Sequence, residues 1–179
     1  MSTTALNPAT DHCTTTFDVD RQHQVIRREL ARRSFCTIAT ASSAHFPHVA
    51  GVLYSQVGND LYVTMHDDSA KARNLAANPR VAICVPVRKI PFGPPFAIQF
   101  QGRATIFSAT APEVAPLLET NALKKITASI DLTDPRNCFV RITPNRRVTS
   151  YGLGVPLLQV MRDPVSAMRT IAWRTDTTG

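Results

Sequence analysis

Residues 96–106 carry the pattern that most restricts what this chain can become. Phe96, Ile98, Phe100, Ala104 and Ile106 share one parity with Gly102, and Gln99, Gln101, Arg103 and Thr105 hold the other. Period-two alternation over this length specifies a long β-strand with one buried and one polar face. Gly102 allows the strand to bend, as a strand in a small barrel must.

Shorter strand signals surround it. Phe35–Thr40, Leu61–Met65 and Cys138–Thr143 are β-rich runs, and Val148–Tyr151 offers one more after a basic Pro144-Asn145-Arg146-Arg147 turn. Arg80–Val87 is near-continuously apolar, which predicts a buried strand. His48–Gln56 is apolar on both faces, so one face meets the core and the other a ligand or a second subunit. Gly51 inside it marks either a bulge or a close approach to the backbone. Ile90–Pro95 reads as a proline-stiffened loop.

Helices are fewer. Asp18 or Asp20 caps a helix over Arg21–Arg33, and Ala111-Pro112 opens another with Val114, Leu117, Leu118, Ala122 and Ile126 on its apolar face. Gly152–Gln159 reads as loop, and Asp163-Pro164 as the start of a short helix through Trp173. Many strands with few intervening helices argue for an antiparallel sheet. The expected class is mainly β (α+β): a six-stranded antiparallel split β-barrel with flanking helices. Residues 1–17 form a flexible tail, and 18–179 one domain ending in a C-terminal helix.

Composition excludes several classes. No apolar run approaches the ~20 residues of a membrane span, and the N-terminus lacks the basic and apolar regions of a secretory signal. Cys13, Cys36, Cys84 and Cys138 are widely spaced, which fits buried thiols in a reducing cytoplasm and no zinc site. The formal charge of +7 is dispersed, so specific nucleic-acid binding is not expected.

One stretch carries chemistry. In Leu61–Pro79 a short strand breaks at His66-Asp67-Asp68, Ser69 can cap a new helix, and Asn78-Pro79 stops it. A strand feeding a helix N-terminus presents free N–H groups and a positive dipole end to an anion. Lys71 adds a full charge and Ser69 a hydroxyl. The stretch is therefore either a phosphate clamp or an ordinary capped surface helix. No nucleophile–base pair stands out elsewhere; His48, Tyr54, Arg147 and Tyr151 are conceivable substrate contacts.

From Phe35 to Tyr151 the chain resembles the pyridoxamine-5′-phosphate-oxidase-like split barrels that bind flavin mononucleotide (FMN) or the deazaflavin coenzyme F-420. The carriers are Phe46-Pro47-His48-Val49, Ser69-Ala70-Lys71-Ala72-Arg73-Asn74-Leu75, Asn78-Pro79-Arg80-Val81 and Gln101-Gly102-Arg103-Ala104, in this order and spacing. The resemblance implies a homodimer with two cofactor sites at the subunit interface. It implies that Ser69 and Lys71 reach the cofactor phosphate, that the backbone of Ala50, Gly51 and Val52 runs beside the flavin ring, and that Val63 and Thr64 lie near the phosphate-bearing chain. Several members carry arginine where Ala50 stands and glutamine where Ala97 stands. The oxidase's C-terminal substrate residues are not recognisable in Arg141–Gly154, so pyridoxamine phosphate is not the expected substrate.

The expected function is a flavin- or deazaflavin-dependent oxidoreductase acting on a small redox-active molecule. The alternatives are a heme-binding split barrel, carrier or degrading, and a cofactor-binding protein without turnover. His12, His23, His45, His48 and His66 are the available axial ligands for heme.

Overall fold

The computed structural model describes residues 18–88, 93, 96–128 and 130–174. The expected N-terminal tail and nearly all of the proline loop at 90–95 lie outside the described residues.

Helix α1 (Val19–Arg32) begins at Asp18, whose side chain accepts from the Arg21 amide at 2.9 Å. Strands β1 (Phe35–Ala41), β2 (Pro47–Val57) and β3 (Asp60–His66) follow, then helix α2 (Ala70–Ala77) and strands β4 (Arg80–Val87) and β5 (Phe96–Ser108). Two short helices, α3 (Ala115–Glu119) and α4 (Lys124–Thr127), precede β6 (Asn137–Tyr151), α5 (Leu157–Arg162) and β7 (Met168–Ala172). The strands form one sheet in the order β3-β2-β1-β4-β5-β6-β7, and β3 also pairs with β6. That second pairing closes six strands into an antiparallel barrel, with β7 added outside β6.

Alternation builds the barrel interior. Cys36 and Ile38 from β1, Val52 and Tyr54 from β2, and Ile98 and Phe100 from β5 point inward with Val140 and Ile142 of β6. α1 covers one end of the barrel through Ile26 and Leu30, and the Tyr54 hydroxyl donates to the Leu30 carbonyl at 2.8 Å. Burial holds the Tyr54 phenol above its ordinary range. Gln22 ties the same helix to β6, donating to Ser150 Oγ at 2.7 Å and to the Leu153 carbonyl at 3.0 Å. A smaller cluster of Tyr62, Val114, Leu123, Ile126 and Phe139 seats α3 and α4 on the outside of β3 and β6.

Several local expectations are corrected. β4 is not buried on both faces: Ala82 and Pro86 face outward, because small apolar side chains disguise an alternating strand as a continuous run. The single helix after Pro112 is interrupted at Asn121, which has φ 56°, although its apolar residues still pack as a group. Asp163-Pro164 opens a turn, with Asp163 Oδ1 accepting from the Ser166 amide at 3.2 Å, and the chain runs on into β7 in place of a C-terminal helix. The preceding segment read as loop contains α5. Pro144–Arg147 lies inside one continuous strand: Phe100 pairs with Val148 and Gly102 with Pro144, so Asn145–Arg147 bulge out opposite Gln101. Gly51 sits in an unbroken β1–β2 pairing and is not a bulge.

Candidate functional site

The strand-to-helix junction after β3 forms as the sequence predicts. β3 ends at His66, the chain turns through Asp67 and Asp68, and Ser69 caps α2 with Oγ accepting from the Ala72 amide at 3.3 Å. The same hydroxyl donates to the His66 carbonyl at 2.7 Å. Arg73 reaches back to the Asp68 carbonyl, and Asn74 donates to Thr40 Oγ1 at 3.0 Å, locking the helix to β1. Asn78 and Pro79 end the helix.

Thr64, Ser69 and Lys71 line one cleft of about 350 Å³, together with His66, Asp68 and Asn137. Among the described residues the Lys71 ammonium has no hydrogen bond or ion pair, and neither do the first-turn amides of Ala70 and Lys71. One cation and two unspent N–H groups at a helix start suit a phosphate or carboxylate. Lys71 also sits close enough to Cys138 to oppose the rise that burial gives that thiol. Asp67 and Asp68 would weaken an anion site. They are offset by Arg136, which feels both of their charges. Arg136 is itself fixed by an ion pair to Asp134 at 2.7 Å, and this holds the Asp134 carboxyl down to about 2.

The other residues expected at a cofactor lie elsewhere on the barrel. Val52 and Val63 turn their side chains into the core, so each offers only backbone to a ligand. Ala50 and Gly51 lie on β2 opposite Ile38 and Thr37. On the outer face of that hairpin, Phe35, Val49 and Leu53 are 47%, 62% and 43% exposed, with Leu53 paired to Phe35. Tyr54 is corrected as a substrate contact, since its hydroxyl is spent on the Leu30 carbonyl inside the barrel. Arg147 faces a second, larger cleft of about 1140 Å³ that also involves Trp173, a residue to which no sequence signal pointed. His23 is stacked on Trp173 with ring centroids 4.5 Å apart and is not placed for an open site. Among the described residues no group of His, Cys, Asp or Glu is arranged to hold a metal ion.

The family model for pyridoxamine 5′-phosphate oxidase matches residues 23–149. The chain belongs to the pyridoxamine 5′-phosphate oxidase family. The match runs from α1 through the barrel and past the bulge of β6, so it includes the whole Lys71 cleft. Solved structures share the fold at low identity. The heme storage protein HutZ from Vibrio cholerae is 18% identical with a TM-score of 0.60, covering 77% of this chain and 98% of its own. A heme binding protein from Mycobacterium smegmatis is 19% identical with a TM-score of 0.62, covering 87% of this chain and 58% of its own. A FAD-binding protein from Mesorhizobium loti is 19% identical with a TM-score of 0.55, covering 69% of this chain and 89% of its own. Among curated proteins no sequence matches. Among the described residues no helix is long and apolar enough to cross a membrane. For this member of the pyridoxamine 5′-phosphate oxidase family, the fold is thus one that serves both flavin and heme proteins elsewhere.

Proposed function

We propose that the chain binds FMN or the deazaflavin coenzyme F-420 through its phosphate at the Lys71 cleft, and acts as an oxidoreductase on a small redox-active substrate. The observation that carries this reading is the unpartnered Lys71 ammonium beside the free amides of Ala70 and Lys71. The donor set fits a phosphate: a full charge on a flexible stem, two backbone donors, and the Thr64 hydroxyl on the same wall, with the Ser69 hydroxyl committed to holding the turn. Lys71 neutralises the anion, α2 contributes its positive dipole end, and the Ser69 cap keeps the first turn aligned. The backbone of Ala50, Gly51 and Val52 would run beside the ring, in a homodimer whose second subunit covers the apolar strip of Phe35, Val49 and Leu53. When bound, such a cofactor supplies hydride or electron transfer itself.

Heme is a second reading, and His66 is the residue that favours it, because it lines the same cleft as Lys71. Absorbance separates the two. Purified protein titrated with FMN, with coenzyme F-420 and with hemin should form a saturable complex with one of the first two. The complex should weaken about ten- to a hundredfold in Lys71→Ala, the range for a lost hydrogen bond to a charged group. A strong heme band lost in His66→Ala and kept in Lys71→Ala would replace the flavin reading. Flavin binding equal in wild type and Lys71→Ala would remove the clamp.

A further inference from the structure

Four arginines crowd the outer face of β4, β5 and β6. Arg80 and Arg103 are direct cross-strand partners. Like charges placed opposite one another in an antiparallel pair repel. Arg146 and Arg147 sit on the β6 bulge, and both are exposed. None of the four guanidinium groups has a hydrogen bond or ion pair among the described residues. Uncompensated positive charge of this density, held on rigid strands, calls for a counter-anion.

The surface is shaped to hold one. Arg80 and Arg103 line a cleft of about 500 Å³, and Arg146 and Arg147 line the one of about 1140 Å³. The two are continuous, sharing Ala39, Ala82, Gln101 and Asn145. Among the described residues no aspartate or glutamate lines either cleft. Gln101 and Asn145 lie between the two arginine pairs and offer amide donors. Trp173 also lines the larger cleft; it is 4% exposed, and its buried Nε1 has no hydrogen-bond partner among the described residues. The volume exceeds what a single phosphate needs and matches a small organic molecule. The Lys71 cleft lies at the start of α2, whereas Asn78 at the end of that helix lines the arginine cleft.

We infer that this arginine-lined cleft is a second binding site, separate from the Lys71 cleft, for a small molecule carrying at least two phosphate or carboxylate groups. Arginine suits such groups because its planar fork of donors engages two oxygens at once. The two pairs at opposite ends select a ligand with spaced anionic groups over a monoanion. The site does not depend on flavin binding, and its test is independent of the Lys71 test.

Tripolyphosphate and citrate are the probes, with monophosphate as the control. Trp173 is the chain's sole tryptophan and lines the cleft, so its fluorescence reports occupancy alongside calorimetry. Wild type should bind tripolyphosphate or citrate more tightly than monophosphate, with an affinity that falls as salt rises. Arg80→Gln/Arg103→Gln and Arg146→Gln/Arg147→Gln should each weaken the binding read at Trp173 about tenfold or more, while Lys71→Gln, which removes any competing phosphate site, leaves the Trp173 titration unchanged. Without probe, Arg80→Gln should melt no lower than wild type, because it relieves a repulsion. Circular dichroism checks that each variant is folded, and the two arginine-to-lysine doubles keep the charge and should recover part of the binding. No binding by wild type at low salt, or binding indifferent to all four arginines, overturns the inference. So does loss in Lys71→Gln equal to that in the arginine variants. An oligonucleotide that binds more tightly than either probe at physiological salt overturns it in favour of a nucleic-acid surface.

Discussion

The Phe35 ring on β1 lies over Gly51 on β2: a Cβ added at Gly51 would come within 2.8 Å of Phe35 Cε2. A bare backbone is thus roofed by a half-exposed aromatic ring, and the ring can move only outward. Gly51→Ala should destabilise the barrel by about 1 kcal/mol, at the low end for overpacking because Phe35 can swing into solvent. Gly51→Val should cost more. Thermal melts check this, and Phe35→Ala in the Gly51→Ala background should recover part of the loss. A Gly51→Val protein as stable as wild type would show that the ring does not rest there.

Phe35, Val49 and Leu53 form an apolar strip on the outside of the barrel, and Phe46 continues it at 74% exposure. We expect a dimer burying more than about 1,000 Å² through this strip. Leu53→Arg should shift the protein toward monomer in light scattering at micromolar concentration, while leaving its circular dichroism intact. Wild type that stays monomeric under the same conditions excludes this interface.

Ser69 and Lys71 should respond differently to truncation. Lys71→Ala should weaken flavin binding and leave the melting temperature nearly unchanged, since among the described residues the ammonium makes no hydrogen bond or ion pair. Ser69→Ala removes the cap on α2 and should cost about 1 kcal/mol of stability as well as binding. Lys71→Arg should retain more affinity than Lys71→Ala because it retains charge.

Asp134 should titrate far below an ordinary carboxylate, near 2, because Arg136 donates to it through both its side chain and its amide. A depressed folded-state value means that the stabilisation is present above the unfolded-state value. It is lost as pH falls through about 2. Carboxyl chemical shifts followed by NMR should place the midpoint there, and Arg136→Ala should move it up toward the usual range. An Asp134 midpoint near 4 in wild type would mean that the pair is not formed in solution.

The readable parts of this sequence were those whose signals are local and redundant. β5 announces itself by the alternation from Phe96, and α2 by Ser69 before it and Asn78-Pro79 after it. The cleft residues Thr64, Ser69 and Lys71 followed because they sit on that one junction. The C-terminal region misled because its local signals are ambiguous. Asp163-Pro164 caps a helix or opens a turn equally well, and the choice is made by distant partners, here the pairing of β7 with Arg147–Tyr151. The same holds for Pro144–Arg147, which looks like a turn until β5 holds both flanks in one ladder. The arginine cleft was illegible for a related reason: strand register alone pairs Arg80 with Arg103 and brings Arg146 and Arg147 to the adjoining cleft.

The pairing of β3 with β6 sets the order in which this molecule can be made. It joins Leu61 to Ile142 and His66 to Asn137, so the ring of strands stays open until nearly the whole chain exists. On the ribosome, β1–β5 emerge with their inner faces uncovered and β3 still an unpaired edge. Contacts this distant in sequence fold slowly, because the intervening chain must be ordered before they form. During that interval the open edge and bare apolar face leave the nascent sheet most prone to pairing with the wrong chain, and the arrival of β6 ends that exposure.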